Sequence, residues 1–217
     1  MARPGLLLDL DGTLIDSRRD LARAVNLLLG ELDLPPLPLD VVCSYVGNGA
    51  RSLVRRCLDH VDPAHRVSRD VVEMRRFLDL YEGVLLETTC VFPGVLDGLE
   101  RLASRDVALA IATNKPEAPS RRICEALGLT DLVPVLLGGD SLPTRKPDPA
   151  MLRVAAERLD VPLNSCLMVG DSDVDIAAAR AAGIPGVWCT WGGIHPDRPD
   201  GAAHVATRFA EVEALLP

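Results

Sequence analysis

Aromatic side chains are nearly missing from this 217-residue chain, at 3% for Phe, Tyr and Trp together. Its core must therefore be built from Leu, Val, Ile and Ala, which are plentiful in a chain that is 48% hydrophobic. Long apolar runs are missing as well; none approaches the ~20 residues that a membrane-spanning helix needs. Lysine is scarce: among 23 basic residues, Lys115 and Lys146 are the only lysines. Ammonium and guanidinium groups are not interchangeable, so two lysines kept in an arginine-using chain are candidates for chemistry. Paired cysteine motifs are absent. Cysteines 43, 57, 90, 124, 166 and 189 form no C-x-x-C unit, and no histidine spacing completes a zinc site. They are expected as reduced thiols, mostly buried as small hydrophobes. The opening Met1-Ala2-Arg3-Pro4-Gly5 has no signal-peptide h-region ahead of the first apolar run. The expected location is therefore cytoplasmic. The net charge of −8 argues against nucleic acid and anionic membranes as partners.

What is present is an alternation of apolar runs with helical patterns, the signature of an α/β fold with a parallel sheet. The expected strands are Gly5–Leu10, Val107–Thr113, Val133–Gly138, Cys166–Gly170 and Gly186–Thr190. Between them Pro93–Ser104, Pro116–Leu127, Pro149–Leu159 and Val174–Ala182 read as helices, several opened by Pro, with Gly128 and Gly183 as C-caps. The stretch between the first two strands is far too long for one crossover. It has helical periodicity of its own, in Leu21-Ala24-Val25-Leu28-Leu29, Leu53-Val54-Cys57-Leu58, Val71-Val72-Met74 and Phe77-Leu78-Tyr81. We therefore expect a Rossmann-like, doubly wound parallel-sheet core, residues 1–15 plus 89–217, with an inserted all-helical cap, residues 16–88.

Open α/β sheets bind ligands outside the carboxyl ends of their strands. The first strand ends in Asp9-Leu10-Asp11-Gly12-Thr13. Residues two apart on a strand share a face, which sets these acids roughly 6.6 Å apart at about 3.3 Å per residue. Like charges that close require a cation or a proton between them. Alone, the pair fits a metal site, a glycosidase pair or a turn. The second strand ends in Thr113-Asn114-Lys115, Lys146 follows the third, and the fourth ends in Gly170-Asp171-Ser172-Asp173-Val174-Asp175. Thr113-Asn114 also suits a helix cap, Lys146 a solvated surface, and Asp173 the first turn of a helix. Together, however, the four ends bring carboxylates, a hydroxyl and an ammonium to one edge. Asp9, Asp11 and Asp171 suit Mg²⁺ as hard oxygen ligands, Lys146 suits a phosphoryl group or the nucleophilic carboxylate, and Thr113 can donate to a phosphate oxygen. Asp171 and Asp175 share a face if helix starts near Ser172.

Asp9-Leu10-Asp11-Gly12-Thr13, Thr113-Asn114, Lys146-Pro147 and Gly170-Asp171-x-x-x-Asp175 resemble the four ordered motifs of the haloacid dehalogenase superfamily of phosphatases. The helical insert resembles that superfamily's first-type cap, and the likeness runs from about Leu6 to Phe209. A narrower likeness, to bacterial phosphoglycolate phosphatases, lies in Tyr45-Val46-Gly47-Asn48-Gly49-Ala50, Thr113-Asn114-Lys115-Pro116, Gly138-Gly139-Asp140 and Phe92-Pro93-Gly94-Val95. Leu8, where Phe often precedes the nucleophile, and Thr144-Arg145 before Lys146 depart from the family pattern without touching a catalytic position.

The resemblance implies that Asp9 is the nucleophile, forming an aspartyl-phosphate, and that Asp11 is the general acid/base. It implies Mg²⁺ held by Asp9, the Asp11 carbonyl and Asp171, with Thr113, Asn114 and Lys146 around the phosphate and Asp175 orienting Lys146 or a metal-bound water. The cap would supply Gly47, Asn48 and either Arg51 or Arg55 to a small phosphorylated substrate, foremost 2-phosphoglycolate. Another sugar-phosphate phosphatase, a phosphosugar mutase and a non-catalytic phosphate-binding module are the alternatives. A monomer or homodimer is expected.

Overall fold

The computed structural model describes residues 3–64, 71–193 and 200–216; of residues 71–73 it describes the backbone alone. The expected strand β1 is shorter than its apolar run: it spans Gly5–Leu8, so both acids lie just beyond it. A two-residue strand, β2 (Ile15–Asp16), leads into helices α1 (Arg18–Glu31), α2 (Leu39–Cys43), α3 (Ala50–Val61) and α4 (Val71–Val84). The side chains of Val71 and Val72, expected on an apolar face, lie outside the described residues. The chain returns through β3 (Cys90–Val91), antiparallel to β2.

From there it alternates: α5 (Val95–Ser104), β4 (Ala108–Ala112), α6 (Glu117–Ala126), β5 (Val135–Leu137), α7 (Ala150–Arg158), β6 (Cys166–Gly170), α8 (Asp173–Ala182), β7 (Gly186–Cys189), β8 (His204–Ala206) and α9 (Phe209–Glu213). Pro116 and Pro149 occupy the N-cap positions of α6 and α7, one residue ahead of the expected first turn. Gly128 and Gly183, both with positive φ, close α6 and α8 as expected. Sequence periodicity missed β8, whose exposed His204 and Val205 make no apolar run, and missed β2 and β3, which are too short to show one.

The main sheet is wholly parallel, in the order β5-β4-β1-β6-β7-β8. The chain winds outward from β1 to β5, then resumes on the other side at β6, so the topological switch point lies between β1 and β6. This is the doubly wound arrangement, in which ligands bind beyond the strands' carboxyl ends. Side chains alternate across the sheet as strand geometry demands. Leu6 and Leu8 join Leu109 and Ile111 on one face, against α5, α6 and α9. Leu7 joins Ala108, Ala110 and Ala112 on the other, against Met151, Leu152 and Ala155 of α7 and Ala178 and Ala179 of α8. Each fully buried Leu contributes about 2 kcal/mol. The first of these clusters continues without a break through Leu10, Leu14 and Ile15 into Leu21, Val25, Phe77 and Tyr81 of the helical insert.

A buried carboxylate ties α1 to the segment that leads back into β3. Asp20 on α1 accepts from the N–H and hydroxyl groups of Thr88 (3.0 and 2.6 Å) and of Thr89 (2.8 and 2.6 Å), just before β3. Burial works against its charge, but those donors outweigh burial and hold the carboxyl below its usual range. Nothing along the chain marks Asp20, since an acid in the first turn of a helix is ordinary.

Candidate active site

The turn after β1 is built on one carbonyl. The N–H groups of Thr13, Leu14 and Ile15 converge on the oxygen of Leu10, at 3.3, 2.9 and 3.1 Å. This tight return needs Gly12, whose φ is +78° and whose missing Cβ would fall 2.2 Å from Asp171 Oδ2. The N–H of Asp9 donates to the Val169 oxygen at 2.9 Å, pinning the acid to β6. Asp9 and Asp11 then line one cavity of about 40 Å³, with Thr113, Asn114 and Lys115 from the end of β4 and apolar walls from the insert.

Each of the two acids has its own buried lysine. Lys146 is 2% exposed, and its ammonium donates to Asp9 Oδ1 (2.9 Å), Asp175 Oδ1 (2.6 Å) and the Ala112 carbonyl (2.6 Å), which uses all three of its N–H bonds. Burial opposes the ammonium, but Asp175 and Asp9 outweigh it and raise its pKa. Asp175 Oδ2 is taken by the N–H and hydroxyl of Ser172, closing a capping box on α8. Asp175 is thereby fixed at the start of α8, with its other oxygen on the Lys146 ammonium.

Asp9, Asp171 and Asp175 offer carboxylate oxygens within 4.8 Å of one another. Since both oxygens of Asp175 are engaged, Asp9 and Asp171 are the side chains open to a cation. Asp171 Oδ2 is buried with no hydrogen-bond partner, an arrangement that carries a desolvation cost unless something positive meets it. Burial pushes the Asp171 carboxyl well above its usual range, with Asp9 and Asp175 adding to the rise. Burial also pushes Asp9 up to about 6, against the pull of Lys146. These donors are hard oxygens in a site short of positive charge, and they fit a divalent cation.

A pH signature follows. A carboxyl whose folded-state pKa lies above its unfolded value of 3.8 binds its proton more tightly when folded, so Asp9 removes stability as pH rises through about 4 to 6. A cation that takes the place of the proton restores stability where the proton has left. Millimolar Mg²⁺ should therefore raise the thermal midpoint by about 5 °C or more at pH 7.5 and by much less at pH 4.5, measured as the difference with and without metal. Equal shifts at both pH values would refute this assignment of the cluster.

Asp11 is paired by groups that sequence spacing did not connect. Lys115 Nζ donates to its Oδ1 and Oδ2 at 3.0 and 3.2 Å, and the Ser17 hydroxyl, at the N-cap position of α1, donates to Asp11 Oδ1 instead of capping its own helix. Lys115 also donates to the Tyr81 hydroxyl at 2.6 Å and lies 4.6 Å from the centre of that ring. Tyr81 belongs to α4, so this contact joins the insert to the core. Burial opposes the Lys115 charge, but Asp11 and Tyr81 outweigh it and raise its pKa; burial pushes the Tyr81 phenol up to about 12. The sequence signals that point to Lys115 are the scarcity of lysine and its place at the end of the second strand, in Thr113-Asn114-Lys115-Pro116; neither names Asp11 as its partner.

Thr113 lines the cavity and accepts the N–H of Lys115 at 3.2 Å, so it shapes this turn and does not cap α6. Asn114 commits its amide N–H groups to the carbonyls of Gly47 (3.1 Å) and Lys146 (3.0 Å), fastening the insert's loop to the catalytic edge. Gly49 meets the same edge: its φ is +83°, and a Cβ there would lie 3.0 Å from the Asn114 carbonyl. Gly47 thus reaches the cavity, while Asn48 is half-buried and outside its lining. Arg51 is exposed on α3 and outside the lining as well, and Arg55 is exposed beside Asp59 at 3.7 Å. The structure does not bring either arginine to the site.

Residues 6–189 match the family described as haloacid dehalogenase-like hydrolase. The chain is 40% identical over 216 residues to a phosphoglycolate phosphatase of Pseudomonas putida, covering 98% of this chain and 78% of that one. It is 42% identical to a plasmid-borne phosphoglycolate phosphatase of Cupriavidus necator, covering 97% and 92%. Among solved structures, a predicted phosphoglycolate phosphatase from Haemophilus somnus superimposes with a TM-score of 0.88 at 30% identity, covering 98% of this chain and 97% of that one.

Proposed function

Because the chain belongs to the haloacid dehalogenase-like hydrolase family and is a phosphoric monoester hydrolase, we propose that it hydrolyses 2-phosphoglycolate to glycolate and phosphate in the cytoplasm. The observation that carries the mechanism is the pairing of two acids in one cavity, each with its own buried lysine: Asp9 with Lys146 and Asp11 with Lys115. Residues 1–15 and 89–217 act as the catalytic core, and residues 16–88 as the cap that closes it.

Lys146 holds one oxygen of Asp9, and the other attacks phosphorus in line. The P–O bond to the substrate breaks as the aspartyl-phosphate forms. Asp11 gives a proton to the leaving alkoxide, then takes one from the water that cleaves the aspartyl-phosphate and returns Asp9 to its starting state. Mg²⁺, held by Asp9, the Asp11 carbonyl and Asp171, would neutralise charge on the phosphoryl oxygens. Lys146, kept ionised by Asp175, adds positive charge beside the transferring group, and Thr113 contributes its hydroxyl. Asn114 keeps the Gly47 loop over the cavity, which excludes bulk water from the aspartyl-phosphate until the hydrolytic water is in place. Asp11 has a task only where a leaving group needs a proton, which favours phosphate esters over carbon–halogen bonds.

The test is a panel of phosphorylated metabolites ranked by kcat/KM in millimolar Mg²⁺. 2-Phosphoglycolate should rank first, with phosphate released in step with glycolate. A hexose phosphate turned over tenfold better, or isomerised without net phosphate release, would place the protein with the sugar-phosphate enzymes instead.

A further inference from the structure

We infer that Lys115 and Tyr81 form a reader for a carboxylate on the substrate, assembled from both domains, and that they set the enzyme's selectivity. The inference rests on the phosphatase reading above and adds the residues that choose among phosphate esters. The cavity has two chemically distinct parts. One is the phosphoryl end, Asp9 with Thr113. The other lies against Leu21, Val46, Leu53 and Phe77, and Lys115 is the one cation among the residues that line it. A sugar phosphate would bring several hydroxyls against those apolar walls and leave them unpaired, at a cost in binding for each. A single compact anion avoids that cost.

Lys115 already shows how it holds such a group. Its ammonium meets both oxygens of the Asp11 carboxylate, at 3.0 and 3.2 Å. With Tyr81 its three N–H bonds are all in use, so an incoming carboxylate takes the place of one Asp11 oxygen while the other keeps Asp11 paired. Tyr81 supplies the second donor. Its oxygen accepts from Lys115 at 2.6 Å, so its own O–H proton remains to be given, and the residue lines the cavity. Ammonium and phenol together therefore present two adjacent donors, the match for the two oxygens of one carboxylate. Both donors share the lining with Asp9 and Thr113, so the carboxylate they meet is a short distance from phosphorus. Because Tyr81 stands on α4 and Lys115 at the end of β4, the reader exists only with the insert closed on the core. The arginines expected to meet the substrate, Arg51 or Arg55, lie outside the cavity lining.

The experiment compares 2-phosphoglycolate with 2-hydroxyethyl phosphate, the same ester with the carboxylate replaced by a hydroxymethyl group. Wild-type protein should prefer the first. Lys115→Met should lower kcat/KM for both, since Asp11 loses its partner, but should lower the carboxylate substrate about 30-fold more, as expected for a charged hydrogen bond lost. Tyr81→Phe keeps the ring and the Lys115–Asp11 pair, and should narrow the preference about fivefold through KM. It also carries the test if Lys115→Met fails to fold. A preference unchanged within twofold in either folded variant overturns the inference and leaves the phosphatase reading standing. Wild-type protein that hydrolyses 2-hydroxyethyl phosphate but not 2-phosphoglycolate overturns both.

Discussion

Asp9→Asn protein should fold normally and release phosphate at least about 10⁴-fold more slowly than wild type, the scale of loss when a catalytic nucleophile is removed. Asn keeps the shape of the side chain and an oxygen for Lys146, but its amide does not attack phosphorus. The thermal midpoint of the metal-free protein should not fall. The Asp9 carboxylate is buried against Asp175 and Asp171, with its pKa pushed up to about 6, so at neutral pH its charge is a strain on the fold that Asn relieves. The stabilisation by Mg²⁺ should shrink in the same variant. Steady-state phosphate release and melting curves with and without metal test all three. An Asn variant with activity within tenfold of wild type would remove Asp9 from the mechanism.

Lys146→Met should lose both activity and stability. The ammonium is buried, with Asp9, Asp175 and the Ala112 carbonyl as its three acceptors. Without it two buried carboxylates face each other with no ammonium between them. Breaking a buried pair from one side costs about 3–5 kcal/mol, a large share of a typical total of about 5–15 kcal/mol. The midpoint should fall by about 6–20 °C at that cost for a chain of this size, and kcat by about 10³-fold or more. The sign of the pH effect is fixed. Without Lys146 the Asp9 carboxyl rises further above its unfolded pKa, so the metal-free deficit grows as pH increases from 5 to 8. Adding Asp175→Asn removes one of the facing charges and should return part of the stability but none of the activity. A single mutant as stable as wild type at pH 8 would show that Lys146 does not hold this cluster together.

Much of this was legible along the chain. Apolar runs set five of the six main-sheet strands to within a few residues. The four motif ends named Asp9, Asp11, Thr113, Lys146, Asp171 and Asp175, because strand ends and helix starts are local events with local signals. The strands' exact limits were not legible: β1 stops at Leu8 because the chain turns there onto the Leu10 carbonyl, while Leu10 remains apolar and buried for packing reasons. The motifs name Asp9 and Asp175 as neighbours of Lys146, but nothing along the chain names Asp11 as the partner of Lys115. Lys146 meets Asp9 across 137 positions and Lys115 meets Asp11 across 104, separations at which periodicity carries no information. Arg51 and Arg55 attracted a binding role because arginine suits carboxylates, yet α3 turns both outward to solvent.

The sequence by itself determined the class of chemistry. An Asp-x-Asp at one strand end, a hydroxyl at the next, a lysine and a further pair of acids have one common use, and their order along the chain settles which strand presents each. Tertiary structure alone decided how that chemistry is controlled. Parallel winding places β1 between β4 and β6, so residues more than a hundred positions apart share one low-dielectric cavity. There Asp9 finds Lys146 and Asp11 finds Lys115, Asp175 accepts from the same Lys146, and Tyr81 from the insert reaches Lys115. The physical reason is that burial makes every charge depend on its neighbours, and those neighbours are set by packing, not by spacing along the chain.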